Sequence, residues 1–139
     1  MKPQYATLIM LGALAACGGG DHAPACVEAF ASGPFTSADL VAVVDVSNLS
    51  WPAEVRVTAV LNANKQAEQL VKIGFSGDAF EMMTLKLRAG EVRSIALSHT
   101  FSGVRPNPAY AYFGTLAVGD NGDHRAYVTD VHVQACGAP

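Results

Sequence analysis

Apolar and polar residues alternate with a period of two through residues 54–62, and this alternation restricts what the chain can become. Val55, Val57, Ala59 and Leu61 fall on one side, and Glu54, Arg56, Thr58 and Asn62 on the other, with Val60 as the exception. Successive side chains of a strand point to opposite faces, so the pattern marks a half-buried β-strand and not a helix. Leu40, Ala42, Val44 and Val46 mark an earlier strand. Its other face carries Val41, Val43, Asp45 and Ser47, so it starts apolar on both sides, as a central strand does. Val71, Ile73 and Phe75 mark a third, after a polar connection at 62–69 with room for a helical turn.

Turn residues punctuate the remainder. Asn48 to Pro52 turns the chain into the strand at 54–62, and Ser76-Gly77-Asp78 turns it into 80–87. Ala89-Gly90-Glu91 leads into 92–101, and a loop at 103–108 is stiffened by Pro106 and Pro108. Residues 110–118 and 125–135 read as a hairpin around Gly119-Asp120-Asn121-Gly122-Asp123. That makes about seven strands at short spacing, which favours an all-β antiparallel sandwich over a barrel. The stretch from Leu40 to Phe101, with its Asn turn, Pro52 and Leu85-Lys86-Leu87-Arg88-Ala89-Gly90-Glu91, looks like bacterial immunoglobulin-like domains. In those, an Ala/Pro-Gly-Glu turn joins two edge-proximal strands. The resemblance implies an immunoglobulin-like β-sandwich over residues 26–139; a transthyretin-like sandwich has a similar strand count. The Cys…Trp…Cys arrangement of antibody domains is absent, since Trp51 lies in a turn.

The N-terminal segment carries an address. An apolar run from Tyr5 to Ala16 follows Met1 and Lys2 and ends at Leu14-Ala15-Ala16-Cys17, before Gly18-Gly19-Gly20-Asp21. The run is shorter than the roughly 20 residues a membrane span needs and matches the core of a cleaved signal. It resembles a bacterial lipoprotein signal. That resemblance implies a signal peptide at 1–16, lipid on Cys17 and a flexible tether at 17–25 rich in glycine. An ordinary secretory signal, cut near Ala16 or Ala25, exports the domain equally well. Because Gly18 and not aspartate follows the cysteine, a Gram-negative cell would place the protein at its outer membrane.

With Cys17 assigned to lipid, Cys26 and Cys136 remain, at the two ends of the predicted domain. Exported proteins form disulfides, so these two are expected to pair as a structural staple, with two free buried thiols as the competing reading. Neither has the spacing of a zinc site. The formal net charge of −3 and the scattered lysines and arginines exclude a nucleic-acid footprint.

No catalytic constellation is visible. There is no Gly-x-Ser-x-Gly elbow, and Ser98 and His99, as neighbours on a strand, point apart. His99 is in step with Ile95, Leu97 and Phe101, and reads as a satisfied, partly buried histidine. Asp130 and His132 share one strand face, roughly 7 Å apart. With His124 they are weak metal candidates that lack a third ligand at recognisable spacing. The 120–123 run lacks the alternating ligands of a calcium loop and reads as a turn. Met82-Met83 sends one methionine to each face. No cofactor is expected.

Tyr110 and Tyr112 share a face beside the loop that holds Arg105, and Trp51 is either a surface anchor or a plug in one end of the sandwich. Tyrosine and arginine are enriched where surfaces bind partners; alternatively, the tyrosine face caps the core. The sequence therefore points to a non-enzymatic envelope lipoprotein that binds a protein partner or serves an envelope assembly through Trp51, Arg105, Tyr110 and Tyr112. A small-ligand or metal-binding lipoprotein is the alternative, and a hydrolase is a third.

Overall fold

In the computed structural model, we describe residues 25–36, 41–63, 67–77, 80–118 and 126–139. The strands are β1 (Cys26–Ala31), β2 (Phe35–Thr36), β3 (Ala42–Asp45), β4 (Ala53–Ala63), β5 (Ala67–Phe75), β6 (Glu81–Leu87), β7 (Val92–Phe101), β8 (Tyr110–Val118) and β9 (Ala126–Gly137). Eight of them build two four-stranded antiparallel sheets, ordered β1-β9-β4-β7 and β3-β8-β5-β6, while the two-residue β2 adds to β9 in the first. Cys17, His124 and the 119–123 turn lie outside the described residues.

The all-β sandwich expected from the alternation is present, but its connectivity is different. An immunoglobulin-type sandwich sets its first two strands side by side in one sheet. Here β1 and β3 belong to different sheets, and nearly every connection crosses between sheets. The order of the eight long strands is that of a jelly roll, two Greek keys folded together. The expected hairpin of β8 with β9 is not formed either: β8 pairs with β3 and β5, and β9 with β1, β2 and β4. β3 is an edge strand and not a central one, which leaves its outward Val43 43% exposed. Residues 67–69, expected in a connection, already belong to β5.

The core follows the alternation. Val55, Val57 and Leu61 of β4, Val71, Ile73 and Phe75 of β5, and Phe113 of β8 are fully buried between the sheets. Each contributes about 1.5–3 kcal/mol by leaving water. Val60 escapes the pattern beside a bulge, where the register of β4 and β9 shifts between Thr58 and Val60. Asp130 takes a positive φ of 52° on the bulged strand. Such a residue re-aims the side chains that follow it. At one end, Trp51 packs edge-on against Phe75, and Phe75 against Phe101, so the tryptophan plugs the sandwich.

Cys26 and Cys136 are register partners on β1 and β9 and form a disulfide across 110 residues of chain. The bridge suits an oxidising, extracytoplasmic compartment. Closing so long a loop removes much of the unfolded chain's freedom. Replacing both cysteines by serine is expected to lower unfolding stability by about 2–4 kcal/mol, read from urea denaturation with and without reductant. An unchanged midpoint would show that the bridge constrains little.

Gln69 is the anomaly of the interior. It is fully buried on β5, and among the described residues neither polar side-chain atom has a hydrogen-bond partner. A buried amide without partners costs about 1–3 kcal/mol. Gln69→Met keeps the shape and removes the orphaned groups, so it is expected to raise the urea midpoint at constant m value. A fall in the midpoint would instead show that the amide holds an internal water.

Candidate functional site

The two sheets meet along an open flank, where the edge strands β6 and β7 face each other. On β6, register with β5 sets Glu81 opposite Ile73 and Met83 opposite Val71, so both point between the sheets. On β7, His99 stands opposite Val55, and Phe101 opposite Ala53, which directs them inward too. An inward position on a central strand is covered, but on an edge strand it opens to the side. Glu81 and His99 therefore reach each other across the flank, with Oε2 2.7 Å from Nδ1 and side chains 43% and 44% exposed. The imidazole is satisfied, as expected, but more exposed than its position in the alternation implies. Among the described residues, Nε2 and the second carboxylate oxygen remain unengaged.

The pair forms one wall of a cleft of about 570 Å³. Phe80, Met82 and Phe101 supply apolar surface, and Thr100 and Ser102 supply hydroxyl groups. Ring packing holds the wall in place: His99 lies edge-on to Phe101 at 4.5 Å, above the Trp51–Phe75–Phe101 column. Trp51 Nε1 donates to the carbonyl of Gly103, at the end of the cleft, at 2.7 Å.

Phe80 is 44% exposed and lies over Gly74. A Cβ at Gly74 would come within 2.8 Å of the ring, so glycine is what lets the ring settle there. The ring also tilts against Tyr112 at 5.0 Å, with Lys72 Nζ 5.7 Å from its centroid.

The expected partner-binding residues are distributed differently. Tyr110 and Tyr112 share the outer face of the second sheet with Val43, so they do not cap the core. The Tyr112 hydroxyl donates to the Phe75 carbonyl. Arg105 reaches the carbonyl of Val46 at 3.3 Å and flanks Asp45, whose carboxyl is held below its usual range by hydrogen bonds from Ser47. Trp51 packs inward, apart from this face.

His132 has Glu28 as its nearest carboxylate, at 3.5 Å, and stacks on Phe30 at 4.2 Å. That distance is too long for a good hydrogen bond, and Nε2 makes none. Asp130, on the bulge, takes no part in that pair. Among the described residues, no group of three His, Cys, Asp or Glu side chains converges on a metal position.

Sequence reasoning missed Glu81 and Phe80. No local signal marks them, because the partner of Glu81, His99, sits on another sheet, and Phe80 packs on Gly74 and Tyr112 of other strands.

No protein-family model matches the chain, and no curated protein matches it. Among solved structures it has a distant similarity to the C-terminal domain of EclA, described as a sugar-binding protein: 14% identity, TM-score 0.46, 81% of this chain and 79% of that one covered. It is also distantly similar to the CBM22-1–GH10 modules of Clostridium thermocellum endo-1,4-β-D-xylanase 10B, in complex with xylohexaose. The identity there is 12% and the TM-score 0.38, with 82% of this chain covered and 26% of that chain. The chain thus spans about a quarter of that structure.

Proposed function

We propose that this protein is a non-catalytic binding module whose edge cleft takes a small, uncharged, polyhydroxylated ligand of the saccharide class. The observation that carries this reading is the Glu81–His99 pair in the wall of a cleft that Phe80 and Phe101 also line. Its volume falls in the range of about 300–1,000 Å³ typical of ligand pockets, which are mostly apolar with a few placed polar groups. A sugar offers hydroxyls that both donate and accept, and C–H faces that lie on aromatic rings. Glu81 and His99 hold each other in orientation and keep free atoms for two such hydroxyls. Sugar binding is also the property named for the EclA domain; for this chain it is inferred from the cleft alone. A protein partner is the second reading, favoured by the exposed Val43, Tyr110 and Leu116 on the outer face of the second sheet.

Calorimetric titration of the purified protein against soluble saccharides tests the reading. Glu81→Gln removes a charged acceptor worth about 1.5–3 kcal/mol, so affinity is expected to fall at least tenfold. Phe80→Ala is expected to do likewise, and Gly74→Ala to weaken binding by displacing the ring. Binding of no saccharide, or binding indifferent to Glu81→Gln and Phe80→Ala, defeats the proposal.

The same proposal places the domain in a bacterial envelope, anchored through lipid on Cys17. Metabolic labelling with palmitate is expected to mark the protein, and Cys17→Ala to abolish the label and release the domain from membranes. Retention of label in Cys17→Ala counts against the anchor.

A further inference from the structure

Thr100 lines the edge cleft. This residue points outward from β7, opposite Glu54, and also borders a second cavity of about 540 Å³ on the outer face of the first sheet. Glu54, Arg56 and Gln134 line that cavity, and the Cys26–Cys136 bridge and Pro139 bound it. We propose that the two cavities form one trough for an extended saccharide chain. The inference rests on the saccharide reading of the edge cleft and adds to it the length of the ligand and the residues that sense it.

Three features support a chain over a single small sugar. Each cavity alone falls in the size range of a pocket for one drug-sized ligand, so the pair offers more room than a short ligand fills. The polar groups of the second cavity are held in place: Arg56 Nε and Nη2 donate to the two oxygens of Glu54 at 3.0 and 2.9 Å, and Gln134 Nε2 donates to Glu28. The Arg56 hydrogen bonds hold the Glu54 carboxyl below its ordinary range. The Glu54–Arg56 pair therefore offers hydrogen bonds without net charge, which suits a polyhydroxylated chain.

The third feature is a second aromatic platform. Phe30 is 72% exposed, and its ring lies parallel to His132, within 6°. Register sets Phe30 opposite His132 and Glu28 opposite Gln134, so the platform is one side-chain row, roughly 7 Å, beyond the groove. An exposed aromatic ring thus flanks each end of the trough, Phe80 at one and Phe30 at the other. Subsites joined in this way raise affinity as the ligand grows long enough to occupy both.

The test titrates the full chain with cello-, xylo- and chito-oligosaccharides of one to six units, with an unstructured peptide as a control ligand. Affinity is expected to rise at least tenfold from the disaccharide to the hexasaccharide in one of these series. Arg56→Ala with Phe30→Ala is expected to bring hexasaccharide affinity down to that of the disaccharide, and to leave disaccharide affinity and melting temperature unchanged. Equal affinity for short and long chains, or an equal loss for both in the double variant, overturns the extended trough while leaving the edge cleft intact. Binding of no saccharide at any length overturns the saccharide reading and the trough with it. Binding of the peptide alone assigns the groove to a protein segment and overturns it as well.

Discussion

β4 pairs along its length with β7 on one side and β9 on the other, and the placement of His99, Thr100, Arg56 and Gln134 depends on that ladder. Its inward residues build the core. Its register with β7 sets His99 opposite Val55, hence between the sheets, and Thr100 opposite Glu54, hence outside. Because side chains alternate along a strand, two adjacent residues of β7 serve two cavities. A shift of one residue would exchange their faces and dismantle both. The bulge between Thr58 and Val60 lies beyond the row that carries Arg56 and Gln134, so it leaves their alignment intact.

The polar pairs around these cavities are poor candidates for stabilising the fold. Arg56 and Glu54, like Glu81 and His99, are substantially exposed. Exposed ion pairs contribute about 0–1 kcal/mol, since water competes for both partners and both side chains lose freedom. The interior already supplies the stability, through Phe75, Phe113, Leu61 and the valines around them. Mutual hydrogen bonds at the surface do something else: they hold donors and acceptors in fixed directions, which lowers the ordering cost of binding.

Legibility in the sequence followed the physics of each strand. β4, β5 and β7 announce themselves because valines and leucines alternate with polar residues. β1 does not: its inward positions are Val27 and the small Ala29 and Ala31, while its outward row ends in Phe30, so the two faces look alike. Consecutive strands suggest hairpins, and β8 and β9 were expected to form one. In a jelly roll, consecutive strands mostly cross to the opposite sheet, and no local pattern distinguishes the two outcomes. The Cys26–Cys136 pairing was readable because the two cysteines stand at opposite ends of the predicted domain. The tyrosine pair was readable as sharing a face, though not as to which face, since that row holds the larger side chains, Tyr110, Tyr112 and Leu116, while the inward row sets Ala111 and Thr115 beside Phe113.

The edge cleft was hidden for a related reason. His99 sits in step with core residues, and that periodicity argues for burial wherever a strand is central. Its exposure comes from topology, since β7 ends its sheet and β6 ends the other. The Ala89-Gly90-Glu91 turn joins these two edges, so the resemblance that suggested edge-proximal strands there was informative about position even though the connectivity differed. An inward-facing carboxylate and imidazole are tolerable at such a flank because water still reaches them; in the centre of the sheets the same pair would carry a desolvation penalty of several kcal/mol per charge. The flank is thus where this sandwich can turn polar chemistry inward without losing its core, and the residues that do so stand beside Phe80, whose ring lies over Gly74.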